Sequence, residues 1–167
     1  MVANSDLKIC DIVARWPGSV HDTTIFNDSN IRARFEHQEF AHYCLVGDSG
    51  YPCRQYLLTP IINPQTPQEN RYNNAQIASR NPIERLFGVW KRRFPCLSLG
   101  MRLKLETVCA LIVASAVLHN ICVLNNDNLE HLDNIPDNMN EIIGVVEHKP
   151  RYQNFATRDA IIATIFI

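Results

Sequence analysis

Residues 43–51 read Tyr-Cys-Leu-Val-Gly-Asp-Ser-Gly-Tyr. An apolar run from Tyr43 to Val46, closed by Gly47-Asp48-Ser49-Gly50, is the pattern of a short buried strand that delivers its C-terminal end into a loop. Open α/β sheets place their ligands at that end, so the stretch argues for an α/β fold with one carboxylate, Asp48, at the loop. A second stretch, residues 79–94, reads Ser-Arg-Asn-Pro-Ile-Glu-Arg-Leu-Phe-Gly-Val-Trp-Lys-Arg-Arg-Phe. Its apolar residues at 83, 86, 87, 90 and 94 form a helical stripe that must face a core. The other side carries Arg85, Lys91, Arg92 and Arg93, with Arg80 just before. If this helix packs across the sheet edge, Glu84 and Asp48 meet at one divalent cation beside a polyanion, with Gly88 leaving room one turn on. Magnesium prefers carboxylates and water, and phosphodiester cleavage by metals needs such hard oxygen ligands from separate elements. The basic residues would then contact phosphates.

The remaining elements fit an α/β layering. Residues 7–16 mix β-branched, apolar and polar residues after an Asn-Ser-Asp turn signal, which predicts a strand entered from a hairpin, with Met1 to Ala3 as the tail of its partner. Ser19 followed by Asp22 has the spacing of a capping box, and Asp28-Ser29 offers a second helix start leading into Ile31 to Glu36. A Pro-rich connector from Leu58 precedes a helical region from about Pro67 to Phe94, interrupted or restarted at Asn81-Pro82. Leu105 to Leu124 reads as the next helix. A short amphipathic helix is expected at Arg158 to Phe166. No internal repeat or low-complexity tract is visible.

With 167 residues, 46% of them hydrophobic, the chain can bury the core of one ordinary domain. The formal net charge of -1 hides a split. Residues 1–126 hold 13 Lys and Arg against 10 Asp and Glu, whereas residues 127–148 hold six acids and no Lys or Arg. A near-neutral sum therefore does not argue against a DNA partner. The acidic segment reads as a solvated linker or a partner contact. Six scattered cysteines, with no CxxC pair and no zinc spacing, read as buried thiols of a reducing, intracellular compartment. The first ten residues lack the charged start and apolar core of a secretory signal. Residues 107–124 carry no charge, but Thr107, Ser115, His119 and Asn120 interrupt a stretch that barely reaches membrane-spanning length, so a buried helix is expected and no membrane partner.

Each candidate also has a plainer reading. Asn81-Pro82-Ile83-Glu84 is what a helix start looks like, with an Asn cap and Pro at the first position. Asp48 can be a turn residue between two glycines. Asp22 can serve as a cap partner of Ser19, and His21 as a polar surface residue or a support to the site. Lys91-Arg92-Arg93 resembles a short nuclear-import patch, and is also common on solvated helix faces. His119 and Asn120 read as satisfied polar groups of a core.

Four co-linear stretches carry a resemblance: residues 14–29 (ARWPGSVHDTTIFNDS), 45–60 (LVGDSGYPCRQYLLTP), 70–97 (NRYNNAQIASRNPIERLFGVWKRRFPCL) and 114–122 (ASAVLHNIC). Together they resemble the Harbinger transposase family and its host-adopted nuclease relatives, within the DDE superfamily of ribonuclease H-like endonucleases. The resemblance covers roughly residues 1–124 as a partial nuclease domain and leaves 125–167 as an acidic, polar extension. It implies a ribonuclease H-like mixed sheet with packed helices. It makes Asp48 the second catalytic aspartate and Glu84 the third acid, both as ligands of Mg²⁺ or Mn²⁺, with Asp22 and His21 in supporting roles.

In that family the first catalytic aspartate lies on an opening strand well upstream of the Pro-Gly-Ser-Val-His-Asp motif, and only 16 residues precede Pro17 here. Asp6 and Asp11 do not match that position. The expectation is therefore a fragment, whether a truncated gene model or the remnant of a decayed or domesticated element. It would lack the central strand, leaving two strand edges unpaired and impairing activity. The function implied is a metal-dependent DNA endonuclease acting by phosphodiester hydrolysis or strand transfer. Its rival is a non-catalytic remnant that binds DNA or protein. The family also implies a Myb-like DNA-binding partner and a nuclear location, with the cytoplasm as a second site.

Overall fold

A computed structural model describes residues 1–16, 18–127 and 155–166. In chain order its elements are β1 (Val2–Ala3), β2 (Ile9–Asp11), α1 (Asp22–Asn27), α2 (Asn30–Glu36), β3 (Leu45–Val46), β4 (Leu57–Leu58), α3 (Pro67–Arg93), α4 (Cys96–Leu99), α5 (Leu105–Leu124) and α6 (Ala156–Ile165). This is a mixed α/β chain whose strands are two or three residues long. They form two small sheets, β1 antiparallel to β2 and β3 parallel to β4. The described residues divide into two units: residues 1–16 with 81–127, and residues 18–80 with 155–166.

In the first unit the predicted hairpin forms, but β2 is far shorter than residues 7–16. Asn4 makes the turn: its Oδ1 accepts the N–H groups of Asp6 (3.1 Å) and Lys8 (2.9 Å). Leu7 sits at φ 62° within that turn. The hairpin is clasped by two polar side chains of α5. Asn120 accepts the Ile9 N–H and donates to the Ile9 carbonyl, both at 2.8 Å, so one side-chain amide satisfies both backbone groups of that residue. Fully buried His119 places Nε2 2.8 Å from the Leu7 carbonyl. That geometry requires Nε2 to carry the proton, and burial pulls the ring's pKa below its usual value. The expectation of satisfied core polar groups holds for Asn120, half-buried and bonded at both ends of its amide, and through one nitrogen for buried His119, whose Nδ1 has no partner among the described residues. The core itself is Ile9, Leu86, Trp90 and Ala116, with Ile83, Phe94 and Ile112 against it.

Three expectations about the helices are corrected. The long helix α3 is continuous through Pro82, so Asn81-Pro82 is not a start. It begins in a capping box, in which Thr66 Oγ1 accepts the Glu69 N–H (3.2 Å) and Glu69 Oε2 accepts the Thr66 N–H (3.0 Å). An internal proline costs about 3 kcal/mol of helix stability. Burial of Tyr72 and Gln76 before it, and of Leu86 and Trp90 after it, outweighs that local break. Phe87, assigned to the buried stripe, is exposed, with the Lys91 ammonium 5.9 Å from its ring centroid.

The helix α5 has the expected bounds, but only Ser115, Ala116 and His119 are buried. Leu111, Val113, Val117, Leu118, Ile121 and Leu124 are all exposed. Among the described residues it is the one helix long and apolar enough, by length and composition, to cross a membrane.

In the second unit, Ile31, Phe35, Cys53, Leu57 and Tyr72 are buried. Ser29 starts α2 as expected, its Oγ accepting the Arg32 N–H at 3.3 Å. Phe35 stacks on Tyr56 at 5.3 Å. Tyr72 donates to the Thr59 carbonyl and Gln76 to that of Leu58, which fixes α3 against the end of β4. The expected C-terminal helix is α6; Phe166 just beyond it meets Tyr72 edge-on, and Arg71 donates to the Phe166 carbonyl at 2.7 Å. The strand β3 is not buried as expected, since Val46 is 40% exposed and Tyr43 before it 71%. The cysteines are all free, but only Cys53 is buried, and Cys10, Cys44 and Cys96 are exposed rather than core thiols. The acidic segment, apart from Asp127, lies outside the described residues.

Candidate functional site

Parallel strands cannot be joined by a tight turn, so the chain from β3 to β4 makes a broad loop, residues 47–56, and Asp48 sits at its start. The loop opens at a close approach: a Cβ on Gly47 would stand 3.1 Å from Leu57 Cδ1 and 3.2 Å from Tyr51 Cδ2. Asp48 then forms an Asx turn, in which Oδ1 accepts the Gly50 N–H at 2.8 Å. Its Oδ2 accepts no hydrogen bond among the described residues. The half-buried carboxylate thus has one oxygen fixed and one available.

Three ties hold this loop to α1 and α2. The Thr23 hydroxyl donates to the Gly50 carbonyl at 2.7 Å. Arg54 donates to Asn27 Oδ1 at 3.0 Å. The Tyr56 hydroxyl donates to Glu36 Oε1 at 3.1 Å. Glu36 also pairs with Arg32 at 2.8 Å, and the Arg32 hydrogen bond above all holds its carboxyl below the usual range. The Tyr51 ring meets Phe26 of α1 edge-on at 5.8 Å. Burial, followed by the nearby charges of Asp22 and Asp48, pushes the Tyr51 phenol up to about 12, while Arg80 acts in the opposite sense. Asp22, Asp48, Tyr51 and Arg80 therefore share one neighbourhood in the second unit, and Tyr51 is a neutral donor at physiological pH.

Asp22 is the first residue of α1, and the cap position is His21, whose side chain makes no capping hydrogen bond. The predicted Ser19–Asp22 capping box is therefore replaced by an acid in the first turn, where the helix dipole favours negative charge. Both His21 and Asp22 are exposed.

Glu84 belongs to the first unit. It is exposed on α3, between Ile83 and Leu86, which pack into the core. Gly88, one turn on, faces open space. Arg85, Lys91 and Arg92 are exposed and Arg80 is half-buried. Arg93 is different: its side chain is only 10% exposed and pairs with Asp127 at 3.1 Å, with a second bond of 2.7 Å to the Asp127 carbonyl. It supports the C-terminal end of α5 instead of facing outward.

Among the described residues no group of three or more His, Cys, Asp or Glu could hold a metal ion. Magnesium is nonetheless commonly held by one or two carboxylates with its own waters and substrate phosphates. The open oxygen of Asp48 and the exposed carboxylate of Glu84 are donors of that kind. Thr23, Phe26 and Tyr51 were not singled out from the sequence. Their signal lay in the stretches 14–29 and 45–60 themselves, as polar and aromatic residues directly after His-Asp and Gly-Asp-Ser-Gly.

Residues 1–120 match the model of a family described as DDE superfamily endonuclease. The human and bovine proteins named "Putative nuclease HARBI1" are each 36% identical over 135 residues, covering 75% of this chain and 37% of the relative. An Arabidopsis thaliana protein named "Protein ALP1-like" is 27% identical over 154 residues, covering 81% of this chain and 36% of the relative. The chain thus spans little more than a third of the length of the curated relatives it matches. No solved structure matches it.

Proposed function

Because the chain belongs to the DDE superfamily endonuclease family, we propose that it carries part of the active site of a metal-dependent DNA endonuclease, with Asp48 and Glu84 as the acids that hold Mg²⁺ or Mn²⁺. The observation that carries this reading is the Asp48 turn, which commits one carboxylate oxygen to the Gly50 N–H and leaves the other without a hydrogen bond among the described residues. When bound, the cation supplies an activated water and neutralises charge on the leaving oxygen. Asp48 holds its coordinating oxygen at a fixed place in the loop. Glu84 presents a second carboxylate on a helix flanked by cations. Arg80, Arg85, Lys91 and Arg92 bind the DNA backbone, and the Tyr51 hydroxyl, which stays protonated, can donate a hydrogen bond to a phosphate oxygen. Asp22 and His21 support the loop from α1, and Arg93 steadies the helix through Asp127.

A ribonuclease H-like sheet, completed by a strand carrying a further acid, is the framework in which this arrangement would cut or join DNA. A Myb-like DNA-binding partner and a nuclear location belong to the same proposal.

Incubation of the full chain with supercoiled plasmid and Mg²⁺ tests it. Nicking should fall by at least about a hundredfold in Asp48→Asn and in Glu84→Gln, the scale of losing one charge-stabilising group from an active site. A second reading is favoured by the lack of a three-ligand cluster among the described residues. On that reading the chain is a non-catalytic remnant of a transposase that binds DNA or protein. DNA binding without nicking, unchanged by either substitution, would establish it.

A further inference from the structure

We propose that Thr23 is a positioning residue for Asp48, acting through Gly50; this rests on the nuclease reading above. A threonine in the first turn of a helix ordinarily turns its hydroxyl to nearby backbone. Here the hydroxyl donates across 27 positions of sequence to the Gly50 carbonyl, at 2.7 Å. The same residue carries, on its other peptide unit, the N–H that holds Asp48 Oδ1 at 2.8 Å. Thr23 therefore fixes one end of Gly50 and Asp48 grips the other, so the carboxylate's direction depends on a hydroxyl it never touches. The Phe26–Tyr51 ring contact, one helical turn along, keeps the two segments adjacent.

A hydroxyl is required for this role, and the methyl group of threonine is not. Thr23→Val keeps the shape and removes the donor, whereas Thr23→Ser keeps the donor. Outer partners of metal ligands characteristically alter metal affinity by 10–100-fold.

Two readouts on the full chain separate this role from the reading it rests on. The first is amide hydrogen exchange at Gly50 without metal, followed by NMR. Exchange should quicken about tenfold in Thr23→Val and stay at the wild-type rate in Thr23→Ser. The second is Mn²⁺ binding by titration calorimetry, expected to weaken about tenfold in Thr23→Val, to hold in Thr23→Ser and to be lost in Asp48→Asn. Unchanged Gly50 exchange in Thr23→Val overturns the proposal whatever the cation does. Equal changes in the Val and Ser variants also overturn it, because they assign the effect to packing. If Mn²⁺ binds equally well to Asp48→Asn while Gly50 exchange responds as stated, the metal reading fails and the anchoring of the Asp48 turn by Thr23 stands.

Discussion

The two acids are prepared in opposite ways. Asp48 is held by its surroundings: an Asx turn on one oxygen, a threonine clamp on the turn, and a loop tied further along through Arg54 and Tyr56. Glu84 has no such ties among the described residues. Its position is that of its helix, set by Leu86 and Trp90 pressed into a small core with Ile9 and Ala116. Polar contacts thus place one carboxylate and apolar burial places the other, and the two should fail under different perturbations.

The largest expected effect is at Leu86, which is fully buried. Leu86→Ala should lower stability by about 2–5 kcal/mol in denaturant unfolding followed by tryptophan fluorescence, as for other large-to-small core changes. Amide exchange over residues 83–90 should quicken most. Equal quickening over residues 47–51 would break the comparison, since the Asp48 turn would then depend on the same core.

The smallest effect sharpens the comparison from the other side. Glu36 anchors Tyr56 and pairs with Arg32 and Arg54, and its folded pKa lies below the usual value of 4.5. A depressed carboxylate contributes stability that is fully present above about 4.5 and is lost as pH falls through the lower folded pKa. The pair is partly exposed, so the contribution should be only about 0.2–1 kcal/mol. Glu36→Gln should remove that part of the acid-side loss in pH-dependent unfolding. An unchanged pH profile would mean the far end of the Asp48 loop is held by Phe35 stacking on Tyr56 and by Arg54 on Asn27 alone.

What could be read from the residues follows the range of the forces involved. The hairpin at Asn4, the Ser29 cap and the bounds of α5 rest on local chemistry and were legible. The continuity of α3 through Pro82 was not, because the Asn-Pro signal is local and the burial that overrides it is tertiary. The bare side of α5 was misread because an uncharged stretch looks buried in sequence whether or not anything packs on it. In the site, the two acids stood out as residue types in loaded stretches. The Thr23 clamp did not, since nothing local ties residue 23 to residue 50. Arg93 was grouped with the other cations by helical spacing, and only its pairing with Asp127 sets it apart.

Iron-directed backbone cleavage tests most directly the proposal that Asp48 and Glu84 hold one cation. Fe²⁺ bound to the full chain, treated with ascorbate and peroxide, releases hydroxyl radicals that cut the nearest peptide bonds. Cuts are expected both near residue 48 and near residue 84, suppressed together by excess Mg²⁺ and absent in Asp48→Asn. Cuts at one of these places without the other, or a pattern that Mg²⁺ does not suppress, would contradict it.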